Sequence, residues 1–172
     1  MGYLGRVLLW SSLMVRTNFS FAVCPLVLGT MLTTSNYWVL CLQNSDSSSV
    51  MFDMAPGYGS SGLRGKIEVS HLEKYTGETL HVFTYQPLQT VDVDVFMGFV
   101  CENRRDAFTF SPEWEGCRFW LTVVMRDLED AGWLEKDSAD QAKEALQMYW
   151  RNPEGSEPRA MREGRCIREV AW

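Results

Sequence analysis

Apolar positions recur with one spacing in the first half of this chain and with another in the second. Tyr37 to Leu42, YWVLCL, is apolar nearly throughout, the pattern of a buried strand. Val50-Met51-Phe52-Asp53-Met54 follows across the polar NSDSSS loop as its antiparallel partner. Lys66 to Ser70 and Thr79 to Tyr85 alternate with period two, so a meander of about four strands is expected, the last two joined at Thr76-Gly77-Glu78. Pro56-Gly57-Tyr58-Gly59-Ser60-Ser61-Gly62 reads as a flexible connecting loop. A phosphate-cradling loop would lead into a helix, and here a strand follows.

After Thr90 the spacing changes to three and four. Thr90 is the expected N-cap of a helix from Val91 to about Glu102, with Val95, Phe96, Phe99 and Val100 as its apolar stripe and Asn103 at its end. A second helix is expected from Gly116 or Cys117, burying Cys117, Trp120, Leu121, Val124, Leu128 and Ala131 and stopping at Gly132. Ser138-Ala139-Asp140-Gln141 reads as a capping box for a third helix through Trp150, ended by Asn152-Pro153-Glu154-Gly155. Strands first and helices afterwards predict an α+β fold, an antiparallel sheet of about four or more strands with about three helices packed on one face.

Residues 1–34 are apolar without a clear period, and the composition changes near Thr33-Thr34-Ser35-Asn36. A single α+β domain is therefore expected over 35–172. The segment before it is open to three readings: a strand with a docked helix, a processed leader, or a misassigned gene start. Val7 to Val15 behind Arg6 has the look of a short signal sequence, but no small-residue cleavage site follows it. Neither that run nor Phe19 to Leu32, which contains Pro25 and Gly29, reaches the ~20 apolar residues of a membrane span, so no span is expected.

With 172 residues and 46% hydrophobic content the chain can fill one core. Its net charge of −6 argues against a nucleic-acid partner, and none is expected, since phosphate binding draws on clustered Lys and Arg. The one basic cluster, Arg159 to Arg168, is interrupted by Glu163 and reads as a solvated tail. Five cysteines form no CxxC pair and no Cys/His ligand spacing, which leaves no metal site and no cofactor motif. Free thiols in a reducing, cytoplasmic compartment are expected rather than secretion.

Chemistry concentrates at Glu115-Gly116-Cys117-Arg118-Phe119-Trp120. A cysteine in the first turn of a helix faces unpaired N–H groups and the positive end of the dipole. These and the adjacent Arg118 are expected to lower its pKa from about 8.5 and to favour a nucleophilic thiolate. The same N–H groups would form an oxyanion hole. The alternative is that Cys117 only continues the apolar stripe as a small buried hydrophobe. Asp53 is a carboxylate within an apolar run, placed to orient a histidine or bind a cation if it points inward, and solvated if it points outward. With Arg118, Trp120 and Trp38 it makes up the candidate substrate-binding set.

From about Asn36 to Gly164, in the stretches FDMAPG, LRGKIEVS, FTFSPEWEGCRFW and YWRNPEGSEP, the chain resembles an uncharacterised family of small fungal proteins, a domain of unknown function. That family's order, a strand opening with His-Trp, further strands, then Gly-Cys-Arg-Phe/Tyr-Trp opening a helix, is similar to permuted papain-like thiol enzymes of the NlpC/P60 or lecithin:retinol acyltransferase type. The resemblance implies Cys117 as nucleophile. Asn36-Tyr37-Trp38 puts tyrosine where the family usually has histidine, and a phenol of pKa near 10 is a poor base at neutral pH. The remaining base candidates are His81, on a strand between apolar neighbours, and His71, at a strand end and expected to be exposed. The expected function is a cysteine-dependent hydrolase or acyl transferase on a small acyl or amide substrate, intact or catalytically degenerate. The alternatives are a non-catalytic small-molecule-binding module, and an acid–base accessory enzyme (cyclase or isomerase type) of fungal secondary metabolism. A base within hydrogen-bond reach of the sulfur separates the first from the others.

Overall fold

The structure, a computed structural model, describes residues 18–25, 36–43, 49–72, 81–151 and 155–167. It is an α+β fold. The strands β1 (Asn18–Pro25), β2 (Asn36–Gln43), β3 (Ser49–Tyr58), β4 (Arg64–Leu72) and β5 (His81–Tyr85) come first. There follow α1 (Val93–Glu102), β6 (Ala107–Thr109), α2 (Cys117–Asp130), α3 (Ser138–Leu146), β7 (Met148–Arg151), β8 (Gly155–Pro158) and β9 (Arg165–Cys166). One antiparallel sheet runs in the order β5-β1-β2-β3-β4-β6-β9, and β7 and β8 make a separate hairpin.

Period-two alternation sets the two faces of β2 and β3. Leu40 lies opposite Phe52 and Leu42 opposite Val50, and with Trp38 and Met54 they bury one face under the helices. Phe52 meets Phe96 of α1 at 4.7 Å. Tyr37, Val39, Cys41, Met51 and Asp53 take the other face by the same alternation. From α2, Trp120, Leu121, Val124, Met125 and Leu128 enter the core, each contributing about 1.5–3 kcal/mol by burial. Three- and four-residue spacing puts these side chains on one stripe, and α2 packs through it on β2, β3 and α3.

Several expectations are corrected. β5 does not continue the meander beside β4; it pairs with β1, while β4 pairs with β6. The expected turn at Thr76-Gly77-Glu78 lies outside the described residues. The N-cap of α1 is Asp92, whose Oδ1 accepts the Val95 N–H at 2.7 Å, and not Thr90. Helix α3 stops at Leu146 because Met148-Tyr149-Trp150 pairs with β8, so Tyr149 and Trp150 belong to a strand. Ser138 is inside α3 rather than capping it. Glu129 of α2 caps instead, accepting the Ala139 N–H at 2.7 Å. Ala131 is exposed. The expected solvated tail contributes β9, at the sheet edge beside β6.

Candidate functional site

β2 and β3 pair from Gln43 and Ser49 up to Leu40 and Phe52, yet both strands run on, β2 back to Asn36 and β3 forward to Tyr58. The N-terminus of α2 lies where the pairing stops. There a cleft of about 520 Å³, open to solvent, is lined by Tyr37 and Pro56 from the strands and by Gly116, Cys117 and Arg118 from α2. Phe110, Trp114 and Glu115 of the preceding turn and Met148, Tyr149 and Arg159 around the β7–β8 hairpin complete it.

The turn before α2 is tight for a local reason. Gly116 sits so close to Phe108 and Phe110 that an added Cβ would lie 2.7 Å from the Phe108 ring and 3.2 Å from that of Phe110. Only glycine lets the helix start against this T-shaped aromatic pair, whose centroids are 5.2 Å apart. Ser111 braces the turn: its N–H donates to Glu115 O at 2.9 Å and its Oγ accepts the Glu115 N–H at 3.3 Å. Trp114 donates its N–H to Ser111 O at 2.9 Å and is held at φ 63°. That left-handed conformation costs a tryptophan about 1–2 kcal/mol.

Cys117 is only partly covered as a residue, but burial is the largest influence on its sulfur and pushes the thiol pKa up. Hydrogen bonds from the Trp38 and Arg118 backbones and the Arg118 charge pull it down, and Asp53 raises it further. The net direction is opposite to the lowering expected from the helix N-terminus. The thiol is therefore held protonated at neutral pH.

The Tyr37 hydroxyl donates to Asp53 Oδ1 at 2.5 Å. Burial, then the carboxylate, pushes the Tyr37 pKa upward. Burial also raises the Asp53 carboxyl, outweighing the lowering effect of the Tyr37 hydrogen bond, and Glu68, directly opposite on β4, adds to the rise. Glu68 in turn accepts from the Tyr58 hydroxyl at 2.6 Å.

Arg118 is buried and structural. Its guanidinium donates to Leu146 O at 3.2 Å, Arg159 O at 3.4 Å and Ala160 O at 2.8 Å. It thereby fastens the end of α3 and the chain after β8 to the start of α2. Desolvation lowers its pKa. Arg159 lies over the Tyr149 ring at 5.7 Å and donates to Glu115 Oε1 at 3.0 Å.

Cys117, Tyr37 and Arg118 thus share one cleft, with Asp53 behind Tyr37. Trp120 and Trp38 do not line it. The Trp120 ring is 1% exposed and its Nε1 donates to Arg105 O at 2.7 Å. Trp38 is equally buried, stacks with Phe83 at 6.1 Å, and has no partner for Nε1 among the described residues. His71 is exposed, paired with Val50 at the end of β3 and β4 remote from the cleft. The backbone of His81 pairs with Val23, but its side chain lies outside the described residues. Sequence reasoning missed Arg159, Glu115, Pro56, Phe110 and Met148 as cleft residues. Phe110 and Glu115 carried a signal in their place just before the Gly-Cys pair; Met148 and Arg159 arrive only through the unforeseen hairpin.

No helix among the described residues is long and apolar enough to cross a membrane, and no group of three His, Cys, Asp or Glu residues among them is placed to hold a metal ion. Fold and site together define a small α+β domain with a thiol at the floor of an aromatic-walled cleft. The chain belongs to the family described as a domain of unknown function (DUF7770), which it matches over residues 27–166. Comparison with curated proteins and with solved structures gave no match.

Proposed function

We propose that this protein is a small-molecule-binding module, with the cleft over the N-terminus of α2 as its ligand site and Cys117 as a protonated thiol at its floor. The observation that carries this reading is the upward shift of the Cys117 thiol under burial, with the neighbouring Tyr37 hydroxyl already donating to Asp53. A neutral thiol beside a phenol is a polar wall rather than an activated nucleophile. Four aromatic side chains, Tyr37, Phe110, Trp114 and Tyr149, give the cleft the apolar walls of a ligand pocket. A cytoplasmic location, in which these thiols stay reduced, belongs to the same proposal.

A second reading, thiol acyl transfer in a papain-like arrangement, is favoured by the backbone hydrogen bonds that the sulfur receives at the helix start. Alkylation of Cys117 by iodoacetamide as a function of pH, followed by peptide mass spectrometry, separates the two. The binding reading expects slow labelling at neutral pH and a midpoint above the ~8.5 of a free thiol, because the rate follows the thiolate fraction. Fast labelling with a midpoint below that value overturns it in favour of the thiol enzyme.

A further inference from the structure

We infer that the cleft takes a small planar aromatic molecule carrying an acidic group, its ring laid on Trp114 and its charge met by Arg159. This rests on the binding reading above and names the ligand class. Trp114 is 53% exposed, although it lines the cleft and is among the largest apolar side chains of the chain. It is fixed from two sides. The turn hydrogen bonds hold its backbone at φ 63°, and the outer part of its six-membered ring lies against Gly62, where an added Cβ would be 2.8 Å from Cη2. A ring positioned in advance accepts a stacking partner without losing further side-chain freedom. Tyr149 and Tyr37 line the same space.

The charge of the ligand follows from the neighbours. Two guanidinium groups, Arg118 and Arg159, reach the cleft against one carboxylate, Glu115. Arg118 is engaged by three backbone carbonyls and is buried. Arg159 keeps 38% of its side chain exposed while it rests on Tyr149 and pairs with Glu115 Oε1 at 3.0 Å through one amino group, so of the two it is the guanidinium whose remaining N–H groups can also meet a bound acid.

The test is calorimetric titration of the full chain with three probes: 2-naphthoate, its neutral counterpart 2-naphthalenemethanol, and the saturated decahydro-2-naphthoate. 2-Naphthoate is expected to bind most tightly, with each of the others roughly three- to tenfold weaker. Trp114→Gly removes the ring and relieves the left-handed backbone, so its melting temperature should hold or rise while 2-naphthoate affinity falls by roughly three- to tenfold. Arg159→Gln should abolish the preference for the acid over the alcohol. If the three probes bind equally and Trp114→Gly leaves affinity unchanged, the ligand class is overturned while the binding reading stands. If none binds, the ligand class is likewise overturned, and the binding reading is then decided by the Cys117 alkylation profile alone.

Discussion

At Cys117 two effects of opposite sign meet, and the structure decides between them. A helix N-terminus or a nearby cation is worth about 0.3–1 kcal/mol at an exposed site, whereas desolvation of a thiol against strand and aromatic neighbours opposes its ionisation more strongly. The motif Gly-Cys-Arg announced the helix start correctly, because a glycine before an amphipathic stripe is a local signal. The sign of the pKa shift was not legible, because burial is a property of what packs on the sulfur from other elements. Tyr37 and Asp53 test the same balance. Tyr37→Phe removes a hydrogen bond to a charged group and should cost about 1.5–3 kcal/mol of stability at neutral pH. The Asp53 carboxyl is raised in the folded state. The unfavourable burial of its charge is thus fully present above the folded pKa and relieved as pH falls toward the unfolded value. In the same fall the Tyr37 bond loses its charged acceptor, so the cost of Tyr37→Phe should shrink. Urea denaturation of both proteins at neutral pH and below the carboxylate range measures this; an equal cost at both would show that the hydrogen bond does not depend on an ionised Asp53.

Among the elements, α2 was the most readable and the β7–β8 hairpin the least. Trp120, Leu121, Val124 and Leu128 repeat at helical spacing and all are buried. Ala142, Ala145 and Leu146 of α3 are buried at the same spacing, but the helix expected through Trp150 stops at Leu146, and Tyr149 and Trp150 fall where the chain turns into a strand. A short apolar run does not distinguish the two periods by itself. The hairpin matters because it delivers Tyr149 and Arg159 to the cleft, and Arg118 holds that arrangement by its three carbonyl contacts. Lysine has one ammonium and cannot reproduce a planar fork reaching separate carbonyls. Arg118→Lys should therefore cost about 1.5–3 kcal/mol and lower the hydrogen-exchange protection of the Arg159 amide, which donates to Gln147 O at 2.8 Å. Unchanged protection at Arg159, with stability lost, would place the effect of Arg118 in general packing and not in fastening this segment.

For the whole molecule, the order of strands is where local pattern runs out. The two hairpins β2–β3 and β3–β4 follow from neighbouring runs of alternating residues, but nothing in Thr79 to Tyr85 says which edge it will join. β5 joins β1, and β1 lies between β5 and β2, with ladder partners along its full length on β2 and from Phe19 to Val23 on β5. The composition change near Ser35 separates an apolar stretch from a patterned one, and yet the sheet runs across it. β1 also precedes the residues matched by the family, 27–166. Its contribution can be measured by comparing the full chain with one that begins at Ser35. Without β1, the side of β2 turned away from β3 has no ladder and β5 has no neighbour in the sheet order observed. Backbone groups paired on both sides of β1 would have to find water or another strand, each lost hydrogen bond costing about 0.5–1.5 kcal/mol. Against a total stability of about 5–15 kcal/mol for a domain, losing two ladders is not tolerable. The shortened chain is expected to lose its cooperative thermal transition and to associate through the bared edge of β2, seen by circular dichroism and light scattering. A monomer that melts at the temperature of the full chain would show that β2 and the helices hold the cleft without β1, and that the domain does begin near residue 35.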